Sequence, residues 1–214
     1  MLVDLSLTIK TGSPIFAGYP KPVIQPWTNI EVHGYNSNIL LLPEHTLTHV
    51  DVPYHFFKEG FDCEHMPLDK FMGKAIVVDF SNIGFKKAIR LEDFKAKVKE
   101  HGFKDVKGLI VLFHTGFDKY LGNEEVYFGK YPYIDINLAK YLVKSGVKAV
   151  GVDAPSVDYP PFNVHKILLS NNIPIYECLT NLGKIAGKIV TFYGFPLKIK
   201  FGTASPVRAV AVLT

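Results

Sequence analysis

Along the C-terminal two-thirds of the chain, short apolar runs alternate with amphipathic stretches. Residues 75–80 and 108–113 are runs rich in β-branched side chains and bounded by glycine or polar residues, the pattern of buried strands. Residues 147–152, 173–179, 188–193 and 207–213 read the same way. Between these runs, Leu91, Phe94 and Val98 recur at helical spacing before Gly102, which predicts an amphipathic helix. Asp135 is placed to cap a helix running through Leu142 and Val143 to Gly146, and residues 162–169 predict a shorter one. The N-terminal third differs. Residues 11–26 are rich in proline, glycine and aromatics, which break helices and favour turns between short strands. Residues 38–42 then predict a strand. The pattern indicates an α/β fold: a single compact domain over residues 1–214, with a mixed β-sheet and flanking helices.

A chain of 214 residues is long enough to bury roughly 70% of its unfolded surface in one domain. Its net charge of +4 is scattered, with no basic block and no aromatic platform for single-stranded nucleic acid, so no nucleic-acid partner is expected. No apolar run reaches membrane-spanning length, and the first ten residues lack a basic segment followed by a long apolar one. A soluble, cytoplasmic protein without a membrane partner is expected. Cys63 and Cys178 stand far apart, which fits two reduced thiols.

Residues 45–55 change the picture. They hold His45, His49, Asp51 and His55, all at odd positions. In an extended chain these side chains would share one face. In a helix, at about 100° per residue, His45 and His49 would stay together while Asp51 and His55 swing away. Pro53 also forces Val52 out of helical angles. An extended segment is therefore expected, presenting ligand types that suit zinc or manganese. The best distant candidates to complete a site are His165, on the predicted short helix, and Glu177, in the predicted strand 173–179. A carboxylate among apolar neighbours is costly to bury unless paired or bound to metal. Cys178 should alternate to the opposite face as a core thiol. Asp153 and Asp158 read as turn carboxylates. His33, His65 and His101 read as structural or exposed, while His114, after a predicted strand, could face either core or pocket.

The stretch His45-x-x-Thr48-His49-x-Asp51-x-Pro53-x-His55-Phe56 resembles the signature of the cyclase family, whose best-known members are kynurenine formamidases. The resemblance runs along nearly the whole chain: Asp4-Leu5-Ser6, His114-Thr115-Gly116-Phe117, residues 151–158, His165, Glu177, Asn181-Leu182, residues 196–199 and residues 205–210 fall in the family's order. It implies a compact cyclase-like domain of the swivelling β/β/α type, found as a homodimer or higher oligomer. It implies His45, His49, Asp51, His165 and Glu177 as ligands of one or two zinc or manganese ions, with the aspartate able to bridge two. It implies His55 as the catalytic acid/base. The implied activity is metal-dependent hydrolysis of a small-molecule amide: an arylformamidase converting N-formylkynurenine and water to kynurenine and formate in tryptophan catabolism. Alternatives are the same chemistry on another cyclic amide or lactone, or a noncatalytic metal-binding protein. Structural zinc sites are usually cysteine-rich, which argues against the latter. A serine hydrolase would need a Gly-x-Ser-x-Gly turn, and none occurs. Two departures bear on the substrate. Leu47 stands where the family usually has glycine, and His114 and Phe117 replace the arginine and tryptophan of its Arg-Thr-Gly-Trp block.

Overall fold

The computed structural model describes residues 1–213. In chain order the elements are β1 (Leu2–Asp4), β2 (Val23–Thr28), α1 (Ile30–His33), β3 (Ser37–Leu41), β4 (His49–Asp51), β5 (Met72–Asp79), β6 (Ala88–Ile89), α2 (Leu91–Glu100), β7 (Ile110–His114), α3 (Glu124–Gly129), β8 (Tyr133–Ile134), α4 (Ile136–Lys144), β9 (Ala149–Val152), α5 (Asn163–Leu169), β10 (Ile175–Glu177), β11 (Ile189–Tyr193), β12 (Ala204–Pro206) and β13 (Val210–Val212). Nine strands form one sheet in the order β1-β13-β11-β5-β7-β9-β10-β4-β12. Its centre, β5-β7-β9-β10, is parallel, and the strands to either side pair antiparallel. The sheet is therefore mixed, as expected.

The central strands read as continuous apolar runs because both faces are covered. Ile76, Val78, Val111 and Phe113 pack into a core with the helices, while Ala75, Val77, Ile110 and Leu112 pack into a second core beneath the sheet. Full burial of each branched side chain contributes about 1.5–3 kcal/mol, which pins the register of the strands that carry the site. Asp135 caps α4 as expected, accepting a hydrogen bond from the Asn137 N–H at 2.8 Å. Leu138, Ala139 and Leu142 bury the inner face of that helix.

Two expected strands are shorter. The run 207–213 is a strand only over Val210–Val212, β13, which pairs with β1 and β11; β12, at Ala204–Pro206, lies before the run and pairs with β4. The run 173–179 is a strand only over Ile175–Glu177, because Cys178 takes a left-handed φ of 54°. The hairpin of β2 and β3 stands apart from the main sheet, with Trp27, Tyr35, Leu40 and Leu41 exposed. Among the described residues, no helix is long and apolar enough to cross a membrane.

Candidate metal centre and its pocket

The antiparallel pairing of β4 with β10 sets His49 directly opposite Glu177. His165 reaches the same spot from α5, whose other buried residues, Val164, Leu168 and Leu169, anchor the helix in the core. The expected extension of residues 45–55 is overturned. Only His49–Asp51 is strand; Leu47 has φ 49°, and Pro53–His55 forms a tight 3-10 turn. A continuous strand would hold His45 and His55 about 33 Å apart. The two bends instead bring their ring centroids to 4.3 Å, and His45 lies 5.1 Å from His49. Alternation along β4 puts His49 and Asp51 on one face, and the two turns bring His45 and His55 to them.

Asp51 sits at the centre. Its Oδ1 is 2.9 Å from His45 Nδ1 and 3.2 Å from His49 Nε2, and its Oδ2 is 3.5 Å from His165 Nε2. Glu177 is 3.2 Å from His165 Nε2 through Oε1 and 3.6 Å from His49 Nε2 through Oε2. Glu177 and Asp51 are only 5% and 1% exposed, so neither is a solvent-facing carboxylate. At this centre two triads have ligand atoms close enough to share an ion: His45, Asp51 and His55, and His49, Asp51 and Glu177. Asp51 belongs to both. His55 therefore lies within ligand reach as well as beside the other imidazoles.

Each inner histidine has its outward nitrogen tied to an acceptor. His49 Nδ1–H donates to the Leu47 carbonyl at 2.6 Å, and His165 Nδ1–H donates to Asp158 Oδ1 at 2.6 Å. Thr203 Oγ1 donates to Glu44 at 2.6 Å, which leaves its oxygen free to accept from His45 Nε2–H at 3.3 Å. In the neutral rings these bonds fix the tautomers, so that loss of the second proton leaves the three remaining ring nitrogens with lone pairs directed into the site. Such partners orient metal-binding imidazoles and raise their basicity. His49 Nε2 and Asp51 Oδ1 are buried and face each other without a well-directed hydrogen bond. Buried polar atoms are nearly always paired, so these two mark where a divalent cation fits. The donor set of imidazoles and carboxylates suits that role.

The electrostatics follow from the crowding. Burial opposes charge on His49, but the Asp51 and Glu177 carboxylates outweigh it and lift its pKa to about 9. Burial likewise opposes charge on His165, yet bonds to Asp158, Asp51 and Glu177 hold its pKa well above the usual value. Burial would raise Asp51, but the adjacent histidines keep it well below the usual carboxylate range. His55 is mainly desolvated, and its pKa falls to about 4 despite Asp51.

The centre forms the floor of a cavity of about 320 Å³. Phe16 and Tyr19 of the N-terminal loop, Phe56, Phe128 of α3 and Phe162 form aromatic walls, with Leu47 and Pro155 between them. Phe16 meets Phe128 edge-on at 6.0 Å, and Lys21 pairs with Glu124 at 3.0 Å, so the loop is tied to α3. His114 does not face this cavity; it bonds Asp79 at 3.0 Å, and Phe117 is buried among Tyr120 and Tyr127. His65 pairs with Asp62, and His33 and His101 accept backbone N–H groups, all three away from the cavity. Asp153 is a turn carboxylate, accepting from the Thr115 and Gly116 backbones. Asp158 is more than that, because it orients His165. Cys178 is a buried thiol with its pKa pushed well up by desolvation, but it also borders the cavity, since its left-handed backbone ends the strand alternation.

Residues 3–159 match the family model described as "Putative cyclase". The chain belongs to the cyclase family. It is 35% identical to an uncharacterised protein of Methanocaldococcus jannaschii over 86% of each chain. It is 30% identical to the kynurenine formamidase of Geobacillus thermodenitrificans, covering 97% of this chain and 95% of that one. An isatin hydrolase crystal structure with the product analogue thioisatinate superposes with a TM-score of 0.89 at 25% identity, covering 99% of this chain and 92% of the other. The mixed sheet and its few helices are thus the fold of that family.

Proposed function

We propose that this cyclase-family chain is a metal-dependent amide hydrolase, an arylformamidase that turns N-formylkynurenine and water into kynurenine and formate. The observation that carries the reading is Asp51, shared by two ligand triads at the floor of an aromatic cavity. His45, His49, Asp51, His165 and Glu177 would hold one or two divalent ions, zinc or manganese. The bound metal supplies acidity to a water and polarises the amide carbonyl.

The chain's own residues supply the rest. Phe16, Phe128 and Phe162 seat the aryl ring and keep bulk water from the floor. His55, neutral at pH 7, accepts the proton released from the attacking water and delivers it to the departing aryl nitrogen. That delivery is needed because an arylamine leaves poorly as an anion. The kynurenine formamidase relative supports the substrate assignment. The exposed apolar hairpin, with Trp27, Tyr35, Leu40 and Leu41, supports a homodimer or higher oligomer.

The test is elemental analysis of protein purified without added metal, followed by turnover of N-formylkynurenine with zinc and with manganese. His49→Ala should lose both metal and turnover. Full activity in the metal-free protein would overturn the proposal.

A further inference from the structure

We propose that the Ser156 hydroxyl accepts the N–H of the scissile amide, which makes it a catalytic residue and gives the pocket a preference for amides that carry an N–H over N-alkylated amides and esters. The word scissile rests on the hydrolysis proposed above; the acceptor at Ser156 does not.

The polar groups of the cavity divide by task. His45, His49, Asp51, His165 and Glu177 converge at the candidate metal centre, and His55 carries the proton. Tyr19 is half-exposed at the mouth, and the Cys178 thiol is only weakly polar. Ser156 remains. It lines the cavity and is only 3% exposed.

Its position is fixed through the next residue. The Val157 N–H donates to Glu177 Oε1 at 3.1 Å, and the Val157 carbonyl accepts from the Ile134 N–H at 2.8 Å. The serine is therefore held one residue from a group that touches the candidate centre. Its polarity is fixed as well. The Tyr131 hydroxyl lies within hydrogen-bond reach of Ser156 and gives its own proton to the Asp158 carbonyl at 2.8 Å. Towards the serine it offers only lone pairs, so Ser156 Oγ–H donates to Tyr131. Among the described residues, no N–H or O–H donates to Ser156 Oγ in return. The serine thus presents an acceptor to the cavity, and a ligand N–H is the group that suits it.

The reaction itself creates the need. In a planar anilide the N–H lies in the amide plane, where the ortho ketone of N-formylkynurenine accepts it internally. Once water has added to the formyl carbon, the nitrogen pyramidalises and its lone pair takes the proton from His55. The original N–H then swings out of the ring plane, away from the ketone, and Ser156 accepts it. The C–N bond breaks with its electron pair going to nitrogen. The amine leaves with both hydrogens, and the serine neither gains nor loses a proton. A bond strengthened only at this stage raises kcat more than it lowers KM.

The experiment compares metal-loaded wild type with Ser156→Ala on N-formylkynurenine, formanilide, N-methylformanilide and phenyl formate. Each substrate is compared with itself between the two proteins, so differences in substrate shape cancel. Ser156→Ala should lower kcat on N-formylkynurenine about tenfold with KM within about twofold, and lower kcat/KM on formanilide about tenfold. N-methylformanilide and phenyl formate have no N–H and should change by less than about twofold. Binding of acetanilide and N-methylacetanilide is measured by calorimetry. Acetanilide, whose N–H is free before reaction, should bind Ser156→Ala about tenfold more weakly, and N-methylacetanilide should not. Equal losses on all four formyl compounds, or no loss on the two that carry an N–H, would overturn the assignment. Without turnover of any formyl compound, a selective loss of acetanilide binding would support Ser156 as the N–H acceptor and count against the hydrolase, and unchanged binding would overturn both.

Discussion

Replacing Asp158 by alanine separates a turn carboxylate from a residue that serves the metal centre. Asp158 Oδ1 accepts from His165 Nδ1 and Oδ2 accepts from the Val164 N–H, each at 2.6 Å, and all of these groups are buried. Loss of the first bond frees the His165 ring to turn and to change tautomer. Loss of such an outer partner typically weakens metal binding by about 10–100-fold. That corresponds to about 1.4–2.7 kcal/mol. Loss of the second leaves a buried N–H without an acceptor near the start of α5, at about 1–3 kcal/mol of stability. In a chain of this size, each kcal/mol lowers Tm by about 2–4 °C. The two effects are read separately: zinc affinity by competition with a chromophoric chelator, and Tm on metal-free protein. Asp158→Ala should fall in both. A variant that melts earlier but binds zinc within twofold of wild type would show that Asp158 only braces the loop, and the orienting role would be refuted.

Other outcomes follow from the same geometry. Thr203→Val removes the acceptor for His45 Nε2–H and should weaken metal binding about tenfold, while Thr203→Ser restores it; equal affinity of the two variants would dissociate Thr203 from the site. In the metal-free protein His49 and His165 bind protons more tightly than free histidines, so metal must displace protons at pH 7. Calorimetry in buffers of different ionisation enthalpy should register that release, and apparent affinity should climb with pH up to about 9. The sign for stability is the reverse. Because the folded pKa of His49 is raised from 6.5 to about 9, its contribution to the metal-free fold is complete below pH 6.5 and fades as pH rises through 9, seen as a declining Tm. Gly60→Ala would set a Cβ 2.7 Å from the Pro53 backbone carbon, in the turn that carries His55. It should destabilise the chain by about 1–3 kcal/mol in urea titrations and reduce turnover; wild-type stability would mean the turn can shift freely.

What was legible in the chain depended on which physics spoke locally. The runs around Ile76, Val111 and Val150 announce buried strands because both faces are apolar, and Asp135 announces a helix start through its cap. The residues that converge at the candidate centre were legible from residue type, spacing and the family resemblance. Their conformation was not: the bend at Leu47 is stabilised by Thr46, Thr48 and the distant Cys178 carbonyl, and no local propensity favours a left-handed leucine. Asp158 read as loop structure because only its approach to His165, seven residues on, reveals its task. Glu44 and Thr203 were silent for the same reason, since their contact with His45 joins opposite ends of the chain. Ser205, Pro206 and Arg208 interrupt the apolar pattern of residues 204–213, but only the pairing shows the break, with β12 and β13 joining different neighbours.

The position of β4, held between β10 and β12, also sets a timetable. His49 and Asp51 are made first, but the strands that flank them arrive only with Glu177 and Ala204, far later in the chain. Until both have emerged, β4 has two open edges and no fixed place for its side chains. Pairings of such long range close slowly. On the ribosome, His49 and Asp51 therefore travel as an unfinished half of the candidate site until β10 and β12 have emerged. A metal held by all five residues would therefore report that β4 has found its place between β10 and β12.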